Sequence, residues 1–117
     1  MKVKTSELIG KALDWAVWYI LYGTLTREEL DKDINLLAAA VDRRFNPSED
    51  WAKGGPILED QGISTRKGHS GWWIAYVLDI NDEETFMAIA PTKLVAAMRC
   101  FIASRLGDEV EIPWIKE

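Results

Sequence analysis

The sequence is poor in the residues that form disulfides, metal sites and nucleophilic dyads. Among 117 residues there is one cysteine, Cys100, and one histidine, His69. A single cysteine excludes an internal disulfide, which suits a protein of a reducing cytosol. Because Cys100 lies in a helical pattern and not in a spaced set of ligands, we expect a buried core residue, no metal site and no cofactor.

An excess of positive charge and a long apolar run are also absent. Lys plus Arg number 14 against 19 Asp plus Glu, so the formal net charge is −5. Phosphate binding depends on Lys and Arg, so nucleic acid is not the expected partner. The longest apolar run, Trp15 to Gly23, is far shorter than the roughly 20 residues of a membrane span. We therefore expect a cytoplasmic protein without a signal peptide or membrane helix.

The composition that is present is typical of one globular domain. Apolar residues make up 48% of the chain and charged residues 28%. A chain of this length buries roughly 65% of its extended surface, which is enough for one core and too little for two. We expect a single domain over residues 1–117.

Two helices are predicted in the first part of the chain. Apolar residues at helical spacing predict a first helix from Ser6 to Tyr22, with Thr5 or Ser6 as its cap. Thr26 and Glu29 form a capping box that opens a second helix, which ends at Phe45. Because few residues separate these helices, we expect an αα-hairpin.

Irregular structure is predicted after this hairpin. Ser48–Lys53 fits a single helical turn, Gly54–Pro56 fits a break, and Ile57–Glu59 fits a short extended piece. The glycines and the proline are the basis of this prediction, because they disfavour a continuous helix.

A β-meander and a last helix are predicted in the second half. The predicted strands are Ile63–Lys67, Trp72–Ile80 and Thr85–Ile89. The middle strand is apolar on both faces, so we expect a helix or a second copy of the chain to cover the outer face. The last helix, Leu94–Leu106, is capped by Thr92, and a short strand or extended tail follows it. The fold class is α+β, a meander of three to four strands packed with the N-terminal helical hairpin and this C-terminal helix.

Six tryptophans are a heavy aromatic load for one small domain. They are Trp15, Trp18, Trp51, Trp72, Trp73 and Trp114. At least three of them are expected to pack half-buried at the edge of the core. We expect the others to face a partner, since tryptophan is enriched where surfaces make strong contacts.

Three segments of the sequence resemble one protein family. Met1–Val17, Pro47–Glu59 and Ala90–Val110 are similar, in this order, to the NinX-like proteins of tailed phages and prophages of enterobacteria. The resemblance implies a phage or prophage accessory protein that acts in its bacterial host. The family has no established activity, so the resemblance implies an origin and no mechanism.

Candidate binding residues come from these segments, from the basic turn after the first strand and from the aromatic load. They are Asp50, Trp51, Gly54, Gly55, Pro56, Arg66, Trp73, Thr92 and Arg99. Several are polar groups or glycines that core packing alone does not require. The structural alternative is that Asp50 caps a turn, the two glycines form a break and Arg99 pairs with a carboxylate. No catalytic residue is assigned.

Three classes of function remain open. The first is a non-enzymatic binding module that engages a host protein or forms a homodimer, which the aromatic load and the doubly apolar strand favour. The second is a binder of a small nucleotide-like ligand, built from Arg99, Arg66, Trp51 and the glycine turn. The third is a hydrolase that uses His69, for which no carboxylate or nucleophile neighbours the histidine in sequence.

Overall fold

The fold is built from two antiparallel sheets and a set of helices, which confirms the α+β class. The computed structural model describes residues 1–33, 38, 40, 44–78, 81 and 83–113. Within these residues the elements are β1 (Lys2–Lys4), α1 (Gly10–Trp18), α2 (Arg27–Asp31), α3 (Trp51–Asp60), β2 (Ile63–Lys67), β3 (Trp73–Leu78), β4 (Glu84–Ala90), α4 (Lys93–Leu106) and β5 (Glu109–Glu111).

The larger sheet is the predicted meander. Its order is β2-β3-β4, and both pairs are antiparallel. Ile63 pairs with Val77, and Trp73 pairs with Ala90, so the predicted strands are confirmed with slightly different ends. A bulge interrupts the pairing of β3 with β4, next to Phe86, whose φ is +50°. Bulges of this kind bend and twist the edge of a sheet.

The smaller sheet joins the two ends of the described chain. β1 pairs antiparallel with β5, so the short strand predicted near the C-terminus is confirmed and the strand at the N-terminus was missed. Thr5 is not a helix cap, because it is buried and its hydroxyl donates to the carbonyl of Gly107 at 2.6 Å. A 3-10 turn, Thr5–Glu7, follows β1. The prediction that the first helix starts at Ser6 was therefore wrong.

The predicted helical hairpin is described only in part. α1 begins at Gly10 and continues through a π-helical turn, Tyr19–Gly23. The backbone amide of Glu29 donates to Oγ1 of Thr26 at 3.1 Å, so the predicted cap of the second helix is confirmed. Residues 34–37, 39 and 41–43 lie outside the described residues, and with them most of the predicted second helix.

The predicted break at Gly54–Pro56 was wrong, because α3 runs through it without interruption. Asp50 caps this helix by accepting a hydrogen bond from the amide of Ala52 at 2.9 Å. Gly54 is buried, and a Cβ there would overlap the carbonyl oxygen of Pro47 and lie 2.8 Å from Cδ2 of Leu94. Tertiary packing of this kind overrides weak local helix propensity.

The core lies between the meander and α4. This helix packs across all three strands of the larger sheet and also against α1 and α3. Thr92 caps it as predicted, since Oγ1 accepts from the amide of Val95 at 3.3 Å, and it ends before Gly107. The fully buried side chains of this core include Leu13, Val17, Ala75, Ala90, Met98, Phe101 and Ile102. In the described segments, no helix combines the length and the hydropathy needed to cross a membrane.

The close contact at Gly54 predicts opposite effects for two neighbouring glycines of α3. Gly54→Ala should lower the free energy of unfolding by about 1–3 kcal/mol, because the added methyl group overlaps the backbone of Pro47. Gly55→Ala is the matched control, since the nearest atom to its Cβ is a ring carbon of Trp51 at 3.6 Å. It should be neutral or stabilise the helix by up to about 1 kcal/mol. Urea unfolding measures both, and equal stabilities of the two variants would contradict this account.

Candidate functional site

The structure distributes the nine predicted site residues over four places. Trp51, Trp73 and Thr92 lie around the N-terminus of α4. Arg66 lies on β2, and Arg99 lies in the middle of α4. Asp50, Gly54, Gly55 and Pro56 belong to the start and the body of α3. The predicted grouping of Arg99, Arg66 and Trp51 around a glycine turn is not present.

The residues at the N-terminus of α4 form a cavity that we call the tryptophan pocket. Its volume is about 470 Å³, and Ile9, Trp51, Thr92 and Lys93 are among the residues that line it. Nζ of Lys93 lies 5.6 Å from the ring centroid of Trp51 and 5.1 Å from that of Trp73. One ammonium group thus contacts two indole faces, the arrangement of a cation–π interaction.

The tryptophan pocket combines three features that attract an anion with an aromatic ring. The first turn of a helix presents backbone amides and the positive end of the helix dipole. Lys93 adds a full positive charge at this end of α4. The indole of Trp51 is 52% exposed and can stack on a planar ring. Lys93 was not among the predicted site residues, although a lysine directly after a helix cap is unfavourable for the helix dipole and could have been noticed for that reason.

The outer sheet face is the face of the larger sheet that points away from α4. We define it by Arg66 on β2, Ile74, Tyr76 and Leu78 on β3, and Ile89 on β4, which share one side of the pleat. Leu78 is 46% exposed and Ile89 is 52% exposed, so the face is open to solvent in the described part of the chain. The guanidinium of Arg66 lies 5.0 Å from the ring centroid of Tyr76.

Arg99 is a buried cation that donates hydrogen bonds to two backbone oxygens. It is 8% exposed, Nε donates to the carbonyl of Leu8 at 2.8 Å, and Nη1 donates to the carbonyl of Ile89 at 2.8 Å. Among the residues that the structure describes, no carboxylate forms an ion pair with it. Burial lowers the pKa of the guanidinium, which nevertheless stays charged at neutral pH. The structural alternative expected Arg99 to pair with a carboxylate. In the described residues its partners are instead two backbone carbonyls.

The α3 residues among the predicted site positions have visible structural roles. Asp50 is the helix cap, and Gly54 allows the close contact with Pro47. A second carboxylate, Asp14 on α1, accepts a hydrogen bond from the backbone amide of Ser48 at 2.9 Å. Burial raises the pKa of the Asp14 carboxyl, against the opposing effect of this amide. These contacts hold α3 in place beside α1 and α4, and so position Trp51.

Comparison with known proteins identifies a family. The model of a family described as bacteriophage P22, NinX matches residues 4–105, which is most of the chain. No curated protein matches the sequence. The matched range includes the tryptophan pocket, the outer sheet face and Arg99.

Two residues with potential reactivity lie apart from these surfaces. His69 is exposed in the turn that joins β2 to β3. Cys100 is fully buried on α4, and its thiol donates to the carbonyl of Phe86 at 2.6 Å. Burial raises the pKa of this thiol to about 11. A thiol held neutral in this way is a poor nucleophile, which agrees with the expected role as a core residue.

The raised pKa of Cys100 predicts a specific dependence of stability on alkaline pH. A thiol titrates near 9.0 in the unfolded chain and near 11 in the folded one. The buried, protonated thiol therefore contributes its full stabilisation to the folded state below pH 9. This stabilisation is lost as the pH rises towards 11, because the thiol of the unfolded chain ionises first. Wild type should lose about 2 kcal/mol more than Cys100→Ala between pH 8 and pH 11. Urea unfolding at both pH values measures this, and equal losses in the two proteins would show that the thiol is not protected.

Proposed function

Because the match over residues 4–105 shows that the chain belongs to the NinX family of bacteriophage P22, we propose that it is a phage accessory protein that binds a protein of the bacterial host. The proposed role is that of a non-enzymatic binding module in the host cytoplasm. The observation that supports it most is the outer sheet face, which is apolar and open in the described part of the chain.

The chemistry of the outer sheet face fits a protein partner. Its centre is formed by the aliphatic and aromatic side chains of Ile74, Tyr76, Leu78 and Ile89. Arg66 lies at its border and contacts the ring of Tyr76. Tyrosine and arginine are enriched among residues that dominate binding energy, and apolar centres with polar borders are usual in protein interfaces. Exposed apolar surface of this kind is costly in water and favours a partner.

A second copy of the chain is the other protein that can cover this face. β4 is an edge strand of the described sheet, and two such edges can pair across a two-fold axis. A homodimer was expected from the apolar character of β3 on both faces. We favour the host protein because membership of a phage family supports a role in contact with host proteins, and the experiment below separates the two partners.

The tryptophan pocket supports a second candidate function, the binding of a small nucleotide-like ligand. The phosphate group of such a ligand is expected at the first turn of α4 beside Lys93, and the base of the ligand is expected to stack on Trp51. Arg66 and Arg99 do not line the tryptophan pocket, so Lys93 takes the role of the cation that was expected from these two arginines.

The proposed function predicts that one substitution on the outer sheet face abolishes partner capture. Ile89→Asp places a carboxylate in the apolar centre and should reduce capture of the host protein by at least about tenfold. The unfolding temperature should stay close to that of wild type, because Ile89 is 52% exposed. The measurement is affinity capture from a lysate of the bacterial host, followed by binding of the captured protein in purified form.

Ile9→Asp is the matched control for this experiment. Ile9 is 66% exposed and lines the tryptophan pocket, not the sheet. This variant should capture the same protein as wild type. Undiminished capture by Ile89→Asp would contradict the proposal, and loss in Ile9→Asp alone would move the binding site to the tryptophan pocket. A wild-type dimer in sedimentation that Ile89→Asp dissociates would identify a second copy as the occupant.

A further inference from the structure

A second cavity lies on the side of the molecule where the two sheets meet, and we call it the Arg99 cavity. Its volume is about 240 Å³, and Arg99 forms part of its wall. It is lined by residues of the N-terminal segment, β4, α4 and the start of β5. The residues used below are Lys4, Met87, Ala88, Ala103, Asp108 and Glu109.

Arg99 has more hydrogen-bond donors than the fold uses. A guanidinium group has five N–H groups. Two of them donate to the carbonyls of Leu8 and Ile89. Within the described residues, the remaining three have no acceptor, and they belong to Nη1 and Nη2, the end of the side chain. A pair of N–H groups on these two nitrogens matches the spacing of a carboxylate.

The electrostatics of Arg99 favour an anion in this cavity. Arg99 is 8% exposed, and the free N–H groups at the end of its side chain keep contact with solvent, because none of its nitrogens is among the described atoms that are both buried and without a hydrogen-bond partner. Its two backbone carbonyl partners supply no opposite charge. A ligand that places a negative group against Nη1 and Nη2 replaces water there with a charge-assisted contact.

The other charges on the wall narrow the class of ligand. Lys4 and Arg99 contribute two positive charges, whereas Asp108 and Glu109 contribute two negative charges. A phosphate dianion would be repelled by these carboxylates, but a ligand with both an anionic and a cationic group would match both signs. Met87, Ala88 and Ala103 supply an apolar part of the wall.

We propose that the Arg99 cavity binds a free amino acid with an apolar side chain. Its carboxylate accepts hydrogen bonds from Arg99, its ammonium group lies towards Asp108 and Glu109, and its side chain packs against Met87 and Ala103. This site is separate from the outer sheet face and does not depend on the proposed host partner.

The test uses the full chain and a defined set of probes. The twenty common L-amino acids, acetate and inorganic phosphate are added singly to isotopically labelled protein, and amide resonances are followed by NMR. At least one apolar amino acid should shift the resonances of residues around the cavity in a saturable manner. Acetate and phosphate should produce weaker effects or none, because each lacks the cationic group.

Two substitutions place the ligand in the cavity without changing Arg99. Glu109→Gln removes one of the charges that face the ammonium group and should weaken binding by about tenfold. Glu111→Gln is the matched control, because Glu111 lies on the same strand, pairs across from a lysine as Glu109 does, and is not among the residues that line the cavity. Its Oε1 accepts a hydrogen bond from the N-terminal ammonium at 2.8 Å, and glutamine keeps an oxygen acceptor for it. Ala103→Leu fills part of the cavity and should abolish binding.

The possible outcomes decide the proposal. Saturable binding of an apolar amino acid that Glu109→Gln weakens and Glu111→Gln leaves unchanged supports it. The absence of binding by any amino acid overturns it, and so does binding of phosphate or acetate alone. Equal binding by wild type and Ala103→Leu also overturns it, because the ligand would then occupy a different place.

Discussion

The paired hydrogen bonds of Arg99 connect the three parts of the molecule on which the outer sheet face and the Arg99 cavity depend. One bond reaches the carbonyl of Leu8, just before α1, and the other reaches the carbonyl of Ile89 on β4. Since Arg99 itself lies in the middle of α4, one side chain joins the N-terminal segment, the sheet and the central helix. The outer sheet face exists because β4 is held against α4, and the Arg99 cavity exists because the N-terminal segment is held beside both.

The meander and α4 could be predicted because their determinants are local. The strand-forming residues, the turn that joins β2 to β3 and the cap at Thr92 all act within a few positions of the chain. The strand β1 could not be predicted, because its partner β5 lies at the other end of the described chain. α3 was missed for a related reason, since the contact that favours Gly54 in a helix comes from Pro47 and Leu94.

The candidate site could also be predicted only in part, because the sequence indicates residue types and not which of them lie together. Trp51, Trp73 and Thr92 were selected by residue type and family resemblance. Trp51 and Thr92 do line one cavity, and Trp73 contacts Lys93 of the same cavity. Arg99 lies six positions after Lys93, more than one turn farther along α4, and lines a different cavity. Lys93 was overlooked because its importance comes from the two indole rings that lie next to it only in the folded chain. Residue type can therefore nominate candidates, but only the fold shows which of them share a surface.

The most direct test of this account is the free energy of unfolding of Arg99→Lys, measured by urea denaturation at neutral pH. Lysine keeps the positive charge but lacks the forked donors that reach Leu8 and Ile89 together. At least one buried carbonyl then loses its donor, and the account predicts a loss of about 1–3 kcal/mol. A variant whose stability lies within about 0.5 kcal/mol of wild type would contradict the claim that this guanidinium holds the three parts of the fold together.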